Sequence, residues 1–321
     1  MKKLLYILCI LSMMSCSWVK DDIDDCPFGF WLKLHYTYNI LDVDAAPKYV
    51  TDAYVYVYDE AGNFVKRIYV SQEMLKSNNH RVRVEGLAEG NYQFVVWSGI
   101  ANNHYAVSGD ALSIGDFRLA LANGIGICSD QLPSLFYGYL PAVHYDDSYA
   151  EHDIGLMKNT NQLACIVVSI DNQLTLSPAN YTMKIVAANG IMNAHNQPVA
   201  TMKTTYEPFV KESVLLNDPD YGTLNGLKFG LSTLRLMGNS ECRIILEQKS
   251  TGQHLFDISL PEYMGMIGSL YTNSGRALGV QEYLDRQDFY TIVFFLSGDK
   301  GMLMQLQVNS WRLRANNHLK L

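Results

Sequence analysis

Ala53-Tyr54-Val55-Tyr56-Val57-Tyr58 alternates small aliphatic with aromatic side chains, Asp59-Glu60-Ala61-Gly62-Asn63 turns, and Phe64 to Val70 returns. A period of two puts the aliphatic set on one face of a strand and the tyrosines on the other. A Gly- and Asn-bearing turn between two such runs makes a β-hairpin. The same signature spreads outward. Upstream, Phe30, Leu32, Leu34 and Tyr36 share one face of a strand, with Lys33 and His35 on the other. Downstream, Val82 and Val84 alternate with Arg81, Arg83 and Glu85, and Gly86 to Asn91 turns. Tyr92 to Trp97 is apolar on both faces, which suits a central strand of a sandwich.

The second half repeats the pattern. Ala164–Ile170, Tyr181–Ala187, Arg243–Glu247, Tyr290–Leu296 and Met302–Val308 all read as strands. The 21 tyrosines suit strand surfaces. Helical patches are few: Gln72–Lys76, Asp110–Ala122 and Gln281–Arg286. Short strands punctuated by Gly, Asn and Asp turns favour an all-β chain of sandwiches. At 321 residues there is room for two of them. A break near Met157–Asn161 divides the chain into an N-terminal sandwich, 29–157, and a C-terminal one, 158–321.

The first 28 residues read differently. Lys2 and Lys3, an apolar stretch from Leu4 to Met14, and Ser15 have the layout of a cleaved export signal, 1–15. Met13-Met14-Ser15-Cys16 resembles a bacterial lipobox with Met where Leu is usual. Cleavage between Ser15 and Cys16 would leave Cys16 as an acylated N-terminus, each buried methylene adding about 0.8 kcal/mol of membrane affinity. Residues 16–28 follow as an acidic tether, with four aspartates between Ser17 and Asp25, too polar to pack. No later stretch approaches the roughly 20 apolar residues of a membrane span, so the expectation is a chain anchored to the outer membrane rather than threaded through it.

Loss of Lys2 and Lys3 with the signal lowers the 25 basic residues to 23 against 32 acidic, a net charge of −9. That balance argues against nucleic acid, whose phosphates call for basic clusters. Once Cys9 has left and Cys16 is acylated, Cys26, Cys128, Cys165 and Cys242 remain. They admit three full disulfide pairings or stay as buried thiols, the state that suits Cys165 within its apolar run. No CxxC, zinc spacing, GxSxG, HExxH or phosphate loop is present, so no metal, cofactor or catalytic residue is assigned. The densest polar cluster, His144-Tyr145-Asp146-Asp147 with His152-Asp153, reads as a solvated loop before a metal site, and Asp42-Val43-Asp44 is weaker still. Exposed aromatics offer a sugar-stacking platform, although such faces are more often core or interface.

Six segments in order resemble the fimbrillin-A associated anchor family, minor lipoprotein subunits at the base of type V fimbriae. They are Asp25-Cys26-Pro27-Phe28-Gly29, Gly90-Asn91-Tyr92-Gln93-Phe94-Val95-Val96-Trp97-Ser98-Gly99, Leu135-Phe136-Tyr137-Gly138, Leu156-Met157-Lys158-Asn159-Thr160-Asn161, Gln281-Glu282-Tyr283-Leu284-Asp285-Arg286-Gln287 and Val308-Asn309-Ser310-Trp311. The resemblance implies two tandem transthyretin-like or Ig-like β-sandwiches with a few short helices. It also implies an outer-membrane lipoprotein that fixes a fimbrillin-like shaft subunit to the cell surface and ends its growth. In related shaft subunits an arginine-specific protease removes the first strand and a partner's strand fills the groove; anchors are expected to keep theirs. No arginine lies between Cys16 and Arg67, which fits an anchor. The alternatives are a glycan-binding surface lipoprotein and a tip or adhesive subunit of the same kind of fibre.

Strand addition would be the physics of the joint: an extended segment satisfies an open sheet edge while alternate side chains fill pockets. The C-terminus supplies the candidate donor. Met302, Met304, Leu306 and Val308 are expected on one face with Gln305, Gln307 and Asn309 opposite; after Ser310 the phase flips to Trp311 and Leu313. A flip of phase predicts a bulge or bend near Asn309–Ser310. The competing expectation is that Met302–Val308 completes the chain's own C-terminal sandwich, with Trp311–Leu321 exchanged.

Overall fold

The computed structural model describes residues 29–314, apart from 109–112, 124–125, 147, 200–202, 240 and 274. Ser15, Cys16, Cys26 and residues 315–321 lie outside the described residues.

Up to Lys158 the chain forms β1 (Phe30–His35), β2 (Asp52–Asp59), β3 (Phe64–Ser71), β4 (Arg81–Val84), β5 (Gly90–Ser98), β6 (Tyr105–Val107), β7 (Arg118–Leu121), β8 (Ile127–Cys128), β9 (Phe136–Tyr145), β10 (Ala150–Gly155) and β11 (Met157–Lys158). A three-stranded sheet, β10-β1-β4, faces a five-stranded one, β11-β9-β5-β2-β3. Between them pack Phe30, Leu32 and Leu34 with Ala53, Val55, Val57, Phe94 and Val96. Each full burial of such a side chain stabilises by about 1.5–3 kcal/mol. The alternate residues of β2 and β5, Tyr56, Tyr58, Val95 and Trp97, point into a second core. The two-faced apolar pattern of Tyr92–Trp97 therefore marks a strand sandwiched between two cores.

From Thr160 the chain forms β12 (Thr160–Ser169), β13 (Tyr181–Ala187), β14 (Ile191–Asn193), β15 (Thr204–Tyr206), β16 (Val210–Asp218), β17 (Gly222–Leu234), β18 (Arg243–Gln248), β19 (Gln253–Ser259), β20 (Thr272–Asn273), β21 (Arg276–Ala277), β22 (Phe289–Ser297), β23 (Met302–Val308) and β24 (Trp311–Arg314). A six-stranded sheet, β16-β17-β12-β22-β23-β24, faces a five-stranded one, β19-β18-β13-β15-β8. Cys165, Phe229, Ile292 and Phe294 meet Met183, Ile185, Ile244 and Phe256 in the second core. The fold is all-β and sandwich-built, with α1 (Ala46–Tyr49), α2 (Gln72–Ser77), α3 (Leu260–Gly268) and α4 (Val280–Arg286) as short additions.

Two pairings cross between the halves. The strand β7 pairs antiparallel with β14, and β8 pairs parallel with β15. Phe117, Leu119 and Leu121 thereby cover the outer face of the first sandwich, where the Trp97 ring stacks 6.3 Å from that of Phe117. This corrects the helix expected over Asp110–Ala122. Its described part is a 3₁₀ turn, Ile114–Asp116, and then a strand, because Phe117, Leu119 and Leu121 alternate with Arg118 and Ala120 at strand period. The helices expected at Gln72–Lys76 and Gln281–Arg286 are present as α2 and α4. The first starts where the Ser71 hydroxyl accepts the Met74 amide at 3.4 Å, a side-chain N-cap.

Candidate functional site

The first candidate element is β1. It pairs parallel with β10, Phe30 opposite Ala150 through His35 opposite Gly155, and antiparallel with β4, Phe30 opposite Val84. Both its edges are satisfied from within the chain. Phe30, Leu32, Leu34 and Tyr36 are buried as the alternation predicts. At its end His35 lies between two carboxylates, Nε2 2.7 Å from Asp153 Oδ1 and Nδ1 3.2 Å from Asp44 Oδ2. Burial works to raise the Asp44 carboxyl, yet the amides of Tyr36 and Ala46 and the His35 ring, all hydrogen-bonded to it, hold it below its ordinary value. Three of the acidic residues weighed for a metal thus act within the fold: Asp44 and Asp153 hold His35, and Asp42 accepts from Arg286 at 2.8 Å.

The second element is the C-terminal hairpin. The strand β23 lies between β22 and β24, so Met302–Val308 completes the chain's own sheet, and β24 forms its edge. The expected face is corrected. Leu303, Leu306 and Val308 point inward, while Met302 and Met304 are exposed. Leu296 pairs with Leu303 but Phe295 with Gln305, so an irregularity around Met304 shifts the phase. The bend expected at Asn309–Ser310 is a two-residue turn with Val308 opposite Trp311. Asn309 takes a left-handed φ of 52°, which its short polar side chain tolerates. Its Oδ1 accepts the Thr291 amide at 3.0 Å, and its own amide donates to Thr291 O at 2.7 Å. Trp311 is 41% exposed, and Leu313 packs against the second core. Arg312 ties the edge strand across the curled sheet to the β16–β17 turn, donating to Asp218 and, at 2.5 Å, to Asp220; its guanidinium lies 4.6 Å from the Phe295 ring centre.

Asp171 holds the other end of this hairpin. Its Oδ2 accepts the Gly298 amide at 2.7 Å and the Ser297 hydroxyl at 2.8 Å. These bonds, the Gly298 amide first, depress its carboxyl from 3.8 to about 2. A depressed carboxyl contributes stability above its unfolded value and loses it as pH falls through the folded one. The clamp is therefore expected to persist as pH drops through 3.8 and fail near 2. Asp171→Ala should speed hydrogen exchange at the Gly298 amide at neutral pH; unchanged exchange there would remove the clamp.

Between the two elements runs a polar junction. Arg235 and Asp285 form a buried bidentate pair, Nε to Oδ1 2.7 Å and Nη2 to Oδ2 2.8 Å. Arg235 Nη1 also donates to Asn196 O at 2.7 Å, and the Asn159 and Asn196 side-chain amides bond reciprocally at 2.5 and 2.8 Å. Lys158 reaches Asp288 at 2.5 Å. Arg286 donates to Asn39 O at 3.2 Å and stacks 4.4 Å from the Tyr38 ring centre. The helix α4 in the C-terminal half thus grips the loop after β1. A Cβ on Gly268 would sit 2.9 Å from Tyr283 Cβ, so glycine lets α3 and α4 approach this closely. Two of the segments that carry the family resemblance, Leu156–Asn161 and Gln281–Gln287, meet at this junction. Arg235 and Asn196 belong to no sequence motif; the local signal of Arg235 is a polar residue between the core positions Leu234 and Leu236, and Asn196 sits between exposed residues with none.

Cys128, Cys165 and Cys242 are buried and free, and burial pushes the Cys242 thiol up to about 12. These three thus stand as buried thiols, the option the sequence left open for Cys165. Among the described residues no three His, Cys, Asp or Glu side chains converge as a metal site, and no helix is long and apolar enough to cross a membrane.

A family model described as fimbrillin-A associated anchor proteins Mfa1 and Mfa2 matches residues 23–317. The curated minor fimbrium anchoring subunit Mfa2 of Porphyromonas gingivalis is 23% identical over 312 residues, covering 92% of this chain and 89% of that protein. Among solved structures, a Bacteroides thetaiotaomicron protein provisionally described as polysaccharide-binding superposes with a TM-score of 0.76 at 27% identity, covering 91% of this chain and 99% of that one. The P. gingivalis fimbrial anchor protein Mfa2 superposes at 0.66 and 18% identity, covering 90% and 99%, a likeness of fold.

Proposed function

This chain belongs to the family of fimbrillin-A associated anchor proteins Mfa1 and Mfa2, and from that premise we propose that it is an outer-membrane lipoprotein that anchors a fimbrium and ends its growth. The observation that carries the reading is β1 seated in its slot, paired on both edges and buried at Phe30, Leu32 and Leu34. A shaft subunit needs one joint to receive a strand and one to give it. With the receiving slot filled by its own strand, a subunit keeps only the giving joint, and a polymer stops there. We assign lipidation to Cys16 and a tether to residues 16–28, which at about 3.5 Å per residue reach about 45 Å at most. Residues 29–157 and 158–321 act as two mechanical units held by the grip of Arg286 on Asn39 and Asp42, with no catalytic step. The giving element is the C-terminal segment from Trp311, because β24 is the sheet edge and β23 is inner.

The test is capture of a fimbrillin-like shaft subunit from outer membranes, comparing the full chain with one ending at Ser310, with folding checked by circular dichroism. Capture by the full chain and its loss on truncation are expected. Equal capture by both would sink donation by this segment. Cys16→Ser should release the protein and its fimbriae from cells, and retention would refute the lipid anchor. A second reading, glycan capture, follows the description of the B. thetaiotaomicron relative.

A further inference from the structure

We infer that a cleft of 350 Å³ at the end of β2 and β5 is a saccharide site, with Tyr49, Asp52 and Ser98 as its contacts. Its size falls in the range of small-ligand clefts. Three features converge. The Tyr49 ring is 42% exposed and held edge-on by Tyr36 at 6.5 Å, a fixed apolar plate of the kind on which a pyranose face packs. The Lys48 ammonium lies over that ring, 4.9 Å from its centre, and Lys48 lines the same cleft. Asp52, 7% exposed, lines the wall; its Oδ1 accepts the Gly99 amide at 2.5 Å, and a carboxylate keeps further acceptor positions for vicinal hydroxyls.

The decisive feature is Ser98. It lines the cleft, is 1% exposed, and its hydroxyl has no hydrogen-bond partner. A buried hydroxyl left unpaired is destabilising, and such groups call for an account. The hydroxyl is closed off as it stands, and a sugar hydroxyl would pair with it once the Ser98 side chain turns into the cleft. The floor around it is built rather than incidental. Gly99 has φ +85°, and a Cβ there would sit 2.1 Å from Ser134 O, so the backbones of the two loops that close the cleft touch. Asn102 locks the same loop, donating to Gly99 O at 2.6 Å and accepting from the His104 amide at 2.8 Å. A rigid floor, one aromatic plate, one carboxylate and one unpaired hydroxyl are what recognition of a ring bearing adjacent hydroxyls requires. This inference deepens the glycan reading and is tested separately from anchoring, because Tyr49, Asp52 and Ser98 belong neither to β1 nor to the C-terminal hairpin.

The experiment is saturation-transfer NMR on the purified chain with the methyl pyranosides of glucose, galactose, mannose and N-acetylglucosamine, each up to about 10 mM, the weak range for a single sugar. At least one is expected to bind, with its ring protons nearest the protein. Tyr49→Ala should abolish the signal. Ser98→Ala should weaken it at least tenfold while leaving the thermal midpoint unchanged or raised, since it deletes an unpaired buried hydroxyl. A structural serine would instead lower the midpoint. No binding by any of the four sugars, or binding that Tyr49→Ala and Ser98→Ala leave intact, overturns the assignment. Neither result affects the capture of shaft subunits.

Discussion

Removing β1 is expected to turn this chain from the end of a polymer into a link within one. The strand contributes Phe30, Leu32 and Leu34 to the first core and occupies the facing edges of β4 and β10. Without it those edges flank an open groove floored by Phe94 and Val96 of the facing sheet. Burial of the three side chains is worth about 5–9 kcal/mol at 1.5–3 each, comparable with the 5–15 kcal/mol that keeps a typical domain folded. The vacated state should therefore be either unfolded or avid for any extended segment with apolar residues at alternate positions. The test is Leu41→Arg, in the loop between β1 and β2 where Leu41 is 74% exposed, cut by an arginine-specific protease so that β1 is released, with a labelled peptide of the Phe30–His35 sequence and, separately, a shaft subunit added. Expected are exchange of the peptide into the cut chain, none into the uncut chain, and assembly of the shaft subunit on the vacated slot. In the intact chain Leu32→Ala alone should cost about 2–5 kcal/mol by urea denaturation. A cut chain that keeps its melting temperature and takes up neither partner would show that the slot is no site of strand exchange.

What the sequence made legible was whatever obeys a local period. Phe30 to His35, Tyr181–Ala187 and Met302–Val308 emerge as strands within a residue of the bounds read from alternation, because a strand with one buried face writes that burial at every second residue. Tyr92–Trp97 went further, since apolar residues on both faces read as a central strand. Three kinds of feature escaped. The helix α3 is buried at Leu260, Pro261, Tyr263, Met264 and Ile267, leaving no polar stripe to set a helical period against. The shift at Met304 is a single-residue slip, which reverses the facing of Met302 and Met304 without any signal in composition. Arg235 and Asp285 are 50 residues apart, and a long-range pair has no period at all. The segment holding Asp285 was legible as a helix and through family likeness; the buried carboxylate that gives it a physical role became visible in three dimensions.

That pair supplies the other large expected effect. Arg235 and Asp285 expose 10% and 4% of their side chains. Deleting one partner of such a pair strands a buried charge and costs about 3–5 kcal/mol, whereas replacing both with apolar residues of similar volume is often neutral. Arg235→Ala should lower the urea midpoint accordingly. The Arg235→Met, Asp285→Leu double variant should recover most of the loss. The double variant also separates stability from geometry. Asp285 Oδ1 accepts from Gln281 Nε2 at 2.9 Å, Gln281 Oε1 accepts the Gly238 amide at 2.8 Å, and one residue after Asp285 the Arg286 side chain reaches Asn39 and Asp42 beyond β1. If the pair aims α4 at that loop, the double variant keeps its midpoint but unfolds in two steps. Trp31 and Trp97 would report the N-terminal half and Trp311 the C-terminal half, each read with the other tryptophans replaced by Phe. A single coincident transition in the double variant would confine the pair to stability. Two separated transitions would make it the element that holds α4 against the loop after β1. Arg235→Ala within 1 kcal/mol of the unaltered chain would dismiss both roles.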